Sequence, residues 1–182
     1  MHLVRFLFLA FLLAVALLAE DAQCKRVICK DSCCSFVESF PVKLRKLRTS
    51  YDEMRNYYVN NDDLGFALFN RTVLENLKGP YFCHVMNEVL RFYLDTVLPT
   101  AITQETQNFK TSIDYIGNIF NSIKRDIVKC KSYFSCKKPF EISSIQKSYS
   151  QMKEKGLYKA MGELDMLFNY IEDYLASKRL KN

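Results

Sequence analysis

The sequence predicts an all-helical protein, built as a bundle of six helices. Apolar residues recur at intervals of three and four along most of the chain, which places them on one face of an α-helix. Strand-like alternation is scarce, and only five glycines and four prolines interrupt the 182 residues. Helices that each carry an apolar face are expected to bury those faces against one another.

The first helix is predicted to begin at Pro41, where the missing N–H costs nothing, with Ser39 as a candidate cap. Its apolar residues form a continuous seam, and arginines follow the same spacing beside it. The seam consists of Leu44, Leu47, Tyr51, Met54 and Tyr58, and the flanking arginines are Arg45, Arg48 and Arg55.

Three further helices are predicted, at about 66–77, 80–98 and 109–131. The third helix of the chain, at 80–98, is apolar on more than one face, so we expect it to be central, and Pro99 should end it. The seam of the fourth extends to Cys130, which should therefore face the core. That seam consists of Ile113, Ile116, Phe120, Ile123 and Ile127.

A fifth helix is predicted at about 141–154, with seam residues Ile142, Ile145, Tyr149 and Met152, and Gly156 should end it. The sixth, 155–182, has an apolar arc that needs a covering partner and an opposite polar arc that also carries Met166 and Tyr170. The apolar arc holds Leu157, Ala160, Met161, Leu164, Leu167, Phe168, Ile171, Tyr174 and Leu175; the polar arc holds Lys159, Gly162, Glu163, Asp165, Asn169, Glu172 and Asp173.

The N-terminus predicts a signal peptide. Basic residues precede fourteen apolar residues at 6–19, a run that is too short to cross a membrane but typical of a leader. Small residues between Ala19 and Ala22 suit cleavage. We therefore expect residues 1–22 to be a signal peptide and 23–182 to be one secreted helical domain without membrane insertion.

Seven cysteines follow the leader: Cys24, Cys29, Cys33, Cys34, Cys83, Cys130 and Cys136. In a secreted chain they predict disulfides, and their odd number leaves at least one free, capped or intermolecular. They lack the paired spacing of zinc sites, and His84 is the only histidine after the leader. We expect no metal and no cofactor.

No catalytic motif is present, so the sequence predicts a binding protein rather than an enzyme. Cys83 and His84 are adjacent, and neighbouring helical residues diverge by about 100°, so they cannot form a nucleophile–base pair. Asn70 begins a glycosylation sequon. The net charge of +6 comes partly from basic clusters at 43–48, 124–138 and 177–181. They favour solvated helix faces, with glycosaminoglycan as the alternative partner and no nucleic acid.

Four blocks of sequence resemble the interleukin-10 family of class II helical cytokines. They are residues 44–48 (LRKLR), Cys83 to Pro99 with the Phe92–Leu94 triplet, the pair Cys130 and Cys136, and residues 154–161 (EKGLYKAM) followed by Glu163, Asp165 and 169–172 (NYIE). The last block is highly specific. Cys24, Cys29 and Cys34 have no counterpart in mammalian members, which points to a fish-type or viral homologue.

The resemblance implies a six-helix class II cytokine bundle that forms an intertwined homodimer, in which helices five and six complete the other chain. The linker from Lys137 to Phe140 is short, which also favours exchange over folding back. The implied disulfides are Cys33–Cys130 and Cys83–Cys136. Among the other three cysteines we expect one local bridge and one cysteine left over.

The resemblance also implies receptor contacts on the first helix, the loop after it and the last helix. Thr49 and Gly65 stand where the family has acids and Gly162 where it has a serine, so receptor pairing is expected to be species-restricted. The implied receptor-binding residues are Arg45, Arg48, Arg55, Asp62, Lys159, Glu163, Asp165, Met166 and Glu172.

The predicted function is therefore that of a secreted cytokine. By resemblance it bridges a high-affinity receptor chain and a second, shared receptor chain, activates JAK/STAT signalling and limits inflammatory and immune responses. The alternative is a secreted helical protein that binds lipid or glycosaminoglycan through its basic faces. Salt separates the two, because binding to a polyanion collapses with ionic strength.

Overall fold

The computed structural model describes residues 29–137 and 144–179, and within these ranges the regular elements are helices, as predicted. A π-helical turn, Tyr93–Val97, joins two of them, and short 3₁₀ turns precede two others. The α-helices are α1 Ser32–Asn60, α2 Arg71–Lys78, α3 Phe82–Phe92, α4 Leu98–Thr100, α5 Lys110–Lys129, α6 Ser144–Gln151, α7 Gly156–Gly162 and α8 Leu164–Arg179.

Helix α1 begins nine residues earlier than predicted, so the expectation of a start at Pro41 is wrong. Asp31 is the cap: its Oδ1 accepts hydrogen bonds from the backbone N–H groups of Cys33 at 2.7 Å and Cys34 at 2.9 Å. This satisfies two of the donors that a helix N-terminus leaves free. The carboxylate cap explains why the helix starts here.

Pro41 lies inside α1 because a distant side chain replaces the bond that proline cannot make. In a regular helix the N–H of residue 41 would donate to the carbonyl of Val37. Here Nε and Nη2 of Arg179 both donate to that oxygen at 3.2 Å, and Nη2 also donates to the carbonyl of Glu38 at 3.0 Å. The end of α8 therefore stabilises the start of α1.

Helix α2 begins at Arg71 and not near residue 66, because Asn70 caps it by accepting from the N–H of Val73 at 2.9 Å. The long third helix of the prediction is α3, the π turn and α4 in sequence. Pro99 does not end it but lies in α4, directly after the π-helical residues. The helix ends one residue later, at Thr100.

The predicted seams of α1, α3 and α5 form one hydrophobic core. Every seam residue predicted for α1 and α5 is buried, and Cys130 is buried with them. The third helix is central, as expected, since its buried residues occupy more than one face. Tyr93 shows this: its fully buried ring packs near Phe69 on one side and Phe120 on another.

Three disulfides tie the chain. Cys33–Cys130 joins the start of α1 to the end of α5, and Cys83–Cys136 joins the start of α3 to the segment after α5. These are the two pairings that the resemblance implies. A third bridge, Cys29–Cys34, closes the turn before α1, as the expected local bridge would. Cys24 lies outside the described residues.

Gly156 was predicted to end a helix, but it does not adopt the left-handed conformation of a helix-ending glycine; its φ of −58° is that of an ordinary α-helix. Its role is close packing, because a Cβ there would lie 3.0 Å from the backbone oxygen of Tyr149. The positive φ in this turn belongs to Lys153, at 50°. The linker beyond Lys137 and the seam residue Ile142 lie outside the described residues.

The predicted sixth helix is divided into α7 and α8 by a break at Glu163. Its apolar arc is buried apart from Leu157, which is half-buried, and within the single chain α8 packs against α1 and α2. Lys159 is also buried, with 7% of its surface exposed, so its predicted place on an open polar arc is wrong. No helix among residues 29–137 and 144–179 is apolar over a length that would cross a membrane.

Candidate functional site

Two ion pairs join α1 to α8. Nη2 of Arg48 lies 2.8 Å from Oε2 of Glu172 and donates to Oδ1 of Asn169 at 2.7 Å. Nε of Arg55 lies 2.8 Å from Oδ2 of Asp165. The two arginines on α1 are seven residues apart, which is two helical turns, and so are the two acids on α8. The earlier arginine, Arg48, pairs with the later acid, Glu172. The spacing therefore fits two antiparallel helices.

These ion pairs lie on an accessible surface. The four side chains of Arg48, Arg55, Asp165 and Glu172 are between 40% and 49% exposed. Exposed pairs contribute about 0–1 kcal/mol each, so they orient the helices more than they stabilise the fold. The resemblance implies that Asp165 and Glu172 of α8 contact a receptor, but in the single chain each already has an arginine partner from α1.

Lys159 of α7 anchors the loop between α1 and α2, residues 61–70, which we call the anchored loop. Its Nζ lies 2.7 Å from Oδ2 of Asp62 and donates to the carbonyl of Leu64 at 2.8 Å. Because Lys159 and Asp62 are almost fully enclosed, the pair is screened little by solvent. Removal of one partner would leave an uncompensated buried charge.

Glu163 anchors the other end of the same loop. Both of its carboxylate oxygens lie 3.1 Å from the backbone nitrogen of Leu68, which donates to them. Burial raises the pKa of Glu163 above its ordinary value, although the hydrogen bonds from Leu68 and Phe69 and the charge of Lys159 act in the opposite direction. The net balance shows that desolvation is the larger effect.

A third contact extends this attachment towards solvent. Nζ of Lys155 lies 2.9 Å from Oδ2 of Asp63, and this hydrogen bond lowers the pKa of Asp63 and raises the pKa of Lys155. Lys155, Lys159 and Glu163 are spaced four apart, so they form one stripe. This stripe, together with the two neighbouring acids Asp62 and Asp63 in the loop, is the sequence signal that could have predicted that α7 holds the loop.

Two buried tyrosines hold the α7–α8 junction on the core. The hydroxyl of Tyr51 donates to the carbonyl of Gly162 at 3.2 Å, and the hydroxyl of Tyr93 donates to the carbonyl of Ala160 at 2.7 Å. Burial raises the pKa of both tyrosines well above the ordinary value, so they remain protonated donors. The helix break at Glu163 is thus supported by α1 and by the π turn that follows α3.

The structure brings eight of the nine implied receptor residues into these contacts or beside them. Met166 is half-buried on α8, next in sequence to Asp165. Arg45, the ninth, is exposed one turn before Arg48 on α1. Asn169 is a partner of Arg48 that was not predicted from the sequence. Its position three residues before Glu172, which places both on one face, is the signal that could have revealed it.

The glycosylation sequon lies at the end of the anchored loop. Asn70 is exposed, and its Oδ1 accepts the capping hydrogen bond from Val73. The amide nitrogen, to which a glycan would be joined, is not needed for this cap. The local geometry is therefore compatible with modification.

Two features of the described residues bear on chemical sites. Cys83 is bonded to Cys136, which removes the thiol that a nucleophile would need. Among residues 29–137 and 144–179 no three His, Cys, Asp or Glu side chains are grouped so as to hold a metal ion. The polar groups that do converge are ion pairs and loop anchors.

Comparison with known proteins supplies the family. The model of the family described as Interleukin 10 matches residues 7–177. Interleukin-10 of Gallus gallus is 36% identical over 174 residues, covering 94% of this chain and 97% of the relative. Interleukin-10 of Felis catus is 31% identical, covering 94% of each chain. The viral interleukin-10 homolog of equine herpesvirus 2 is 30% identical, covering 84% of this chain and 85% of the relative.

These matches extend over nearly the whole chain and include the helices that carry the ion pairs and the loop anchors. They favour a cytokine over a carrier of lipid or glycosaminoglycan. The chain belongs to the interleukin-10 family of cytokines, which are signalling proteins and not enzymes.

Proposed function

We propose that the chain is secreted after removal of residues 1–22 and signals by bringing together two kinds of class II cytokine receptor chain. The high-affinity chain would bind the surface formed by α1, α8 and the anchored loop, which we call the receptor face. It consists of the exposed or partly exposed residues Arg45, Arg48, Arg55, Asp165 and Glu172, the half-buried Met166, and the anchored loop. The observation that carries this proposal is the convergence of these residues from three separate parts of the chain.

Signalling is tested on leukocytes that carry the receptor chains. The refolded mature chain is expected to cause STAT phosphorylation in these cells and none in matched cells that lack the high-affinity chain. Phosphorylation that is independent of the receptor, or absent from both, would refute the function. Binding that collapses as salt is raised would instead favour the glycosaminoglycan alternative.

The receptor face is tested by removing its two acids. Asp165→Ala combined with Glu172→Ala should reduce affinity for the high-affinity receptor chain. The free energy of unfolding should change by no more than about 2 kcal/mol, because both ion pairs are exposed. The matched control is Glu75→Ala with Asp95→Ala, which removes two acids from exposed ion pairs elsewhere. Equal affinity for the two double variants would exclude this face.

We also propose that two copies exchange α6, α7 and α8 to form an intertwined homodimer. The support is the family resemblance alone, because the linker, which was expected from its short length to favour exchange, is long enough for either arrangement. Cys136 is bonded beside the start of α3, whereas Tyr149 of α6 packs on Phe92, nine residues after Cys83. Nine helical residues span about 14 Å, and the seven residues 137–143 reach about 23 Å when extended.

Exchange has a consequence for the receptor face. In a swapped dimer the partners of Arg48 and Arg55 would belong to the other subunit, so each face would be assembled from two chains. Two faces per dimer would raise avidity on a cell surface. Light scattering at micromolar concentration should give twice the mass of the mature chain; a monomer mass would contradict the exchange.

A further inference from the structure

The anchored loop is fixed at both ends by charged side chains that lie one helical turn apart. Lys159 binds Asp62 and the carbonyl of Leu64, and Glu163 binds the N–H of Leu68. Leu68 is buried, with 1% of its surface exposed. Residues 65–67, which lie between these two fixed points, are exposed.

Phe66 lies at the centre of this exposed segment. It is 57% exposed, the largest exposure among the large hydrophobic side chains of the described residues. Its neighbour Gly65 is open too, because a Cβ added there would meet nothing within 4 Å. An isolated exposed apolar residue is common on protein surfaces and by itself shows nothing.

The surroundings of Phe66 distinguish it from such scatter. The loop that presents it belongs to the receptor face, and the charged groups nearest its attachment, Lys159 with Asp62 and Lys155 with Asp63, are already paired. A partner gains little from the Lys159–Asp62 pair, because that pair is almost fully enclosed and is satisfied internally. Strong contacts in interfaces come instead from an apolar or aromatic anchor within a ring of polar groups.

We propose that Phe66 is an anchor residue that inserts into an apolar pocket of the high-affinity receptor chain, and that Lys159 and Glu163 are positioning residues that hold its loop. The proposal rests on the proposed function. Preorganisation is the physical reason for the two clamps, since a loop that is already fixed loses less entropy on binding. Lys159 and Glu163 would then act through Phe66 and not by touching the receptor.

The first test compares Phe66→Ser with Val128→Ser by surface plasmon resonance on the soluble extracellular domain of the same species' high-affinity receptor chain. Val128 is the matched control, because it is 43% exposed on α5 and lies outside the receptor face. Phe66→Ser should weaken binding by about tenfold or more, chiefly through faster dissociation, whereas Val128→Ser should leave it unchanged.

The second test adds Glu163→Gln to the unmodified chain and to Phe66→Ser. Glu163→Gln should speed hydrogen exchange at the N–H of Leu68 and weaken binding several-fold in the unmodified chain. In the Phe66→Ser background it should change binding little, because the ring through which it acts is absent. The same fold loss in both backgrounds would show that Glu163 contacts the receptor directly and would overturn its positioning role.

The outcomes separate this proposal from the proposed function. If the unmodified chain binds the receptor domain and Phe66→Ser binds equally well, the anchor is wrong while the function stands. If the unmodified chain does not bind, both are overturned. A smaller mass of Phe66→Ser in light scattering would assign the ring to a contact between copies and would also overturn the proposal.

Discussion

The dependence of α1 on Arg179 can be tested with a double-mutant cycle. Arg179→Met removes the three hydrogen bonds to the carbonyls of Val37 and Glu38 and the 3.8 Å ion pair with Glu38. The Glu38 carbonyl keeps its helical donor. The Val37 carbonyl does not, because its helical donor would be the N–H that Pro41 lacks.

The expected loss follows from this difference. Leaving a buried acceptor without a donor costs about 1–3 kcal/mol, and Val37 is 1% exposed, whereas the partly exposed ion pair contributes less than about 1 kcal/mol. We therefore expect Arg179→Met to lower the free energy of unfolding by about 2 kcal/mol. Pro41→Ala restores an N–H, so the same change in that background should cost at least about 1 kcal/mol less.

The assay is urea unfolding followed by circular dichroism at one fixed chain concentration, since the stability of an oligomer depends on concentration. Arg71→Met is the control, because Arg71 is 91% exposed in a local ion pair and should show no coupling to Pro41. Equal losses from Arg179→Met in the unmodified chain and in the Pro41→Ala background would refute the reasoning. If Arg179→Met does not refold, Arg179→Lys provides a milder form of the same cycle.

Three further predictions concern single sites. Because burial raises the pKa of Glu163 above 4.5, its contribution to stability falls as pH rises from 4.5 through the higher pKa of the folded state. The free energy of unfolding of Glu163→Gln should therefore rise relative to that of the unmodified chain over that interval. A difference that stays constant with pH would contradict this. In protein from secreting cells, Asn70→Asp should keep the α2 cap but lose the mass that a glycosidase removes from the unmodified chain. Asn70→Ala should lose that mass too, and its free energy of unfolding should fall by about 1 kcal/mol because the cap is gone. If glycosidase leaves the mass of the unmodified chain unchanged, glycosylation is excluded. Replacing Cys29 and Cys34 by serine should cost about 2 kcal/mol by the chain-entropy estimate, less than half the loss for the Cys33–Cys130 bridge, because the loops differ from 5 to 97 residues; equal midpoint shifts in urea would contradict this.

Much of the fold was predictable because periodicity reports directly which face of a helix is apolar. The seams of α1 and α5 are buried as predicted, and Cys130 lies at the end of one of them. Boundaries were predicted less well wherever one residue type has two uses. Pro41 and Gly156 both suggested helix ends, yet one lies inside α1 and the other permits close packing against Tyr149.

The candidate site shows the same division. The resemblance to the interleukin-10 family predicted which residues of α1, the anchored loop and α7–α8 contact a receptor. It did not predict that Arg48 pairs with Glu172 and Arg55 with Asp165, nor that Lys159 is buried. These contacts join residues more than 90 positions apart, and spacing along a helix carries no information about what covers its polar face.

The sequence by itself determined the helical class, the apolar faces, the cysteines available for bridging and the family. Each of these depends on local spacing or on matching residues in order. The tertiary structure decided that α1 runs through Pro41, that the anchored loop is held by Lys159 and Glu163, and that Phe66 is left exposed. Each of these depends on a distant group that supplies a hydrogen bond, a charge or a covering surface, and such a partner is known only once the chain is folded.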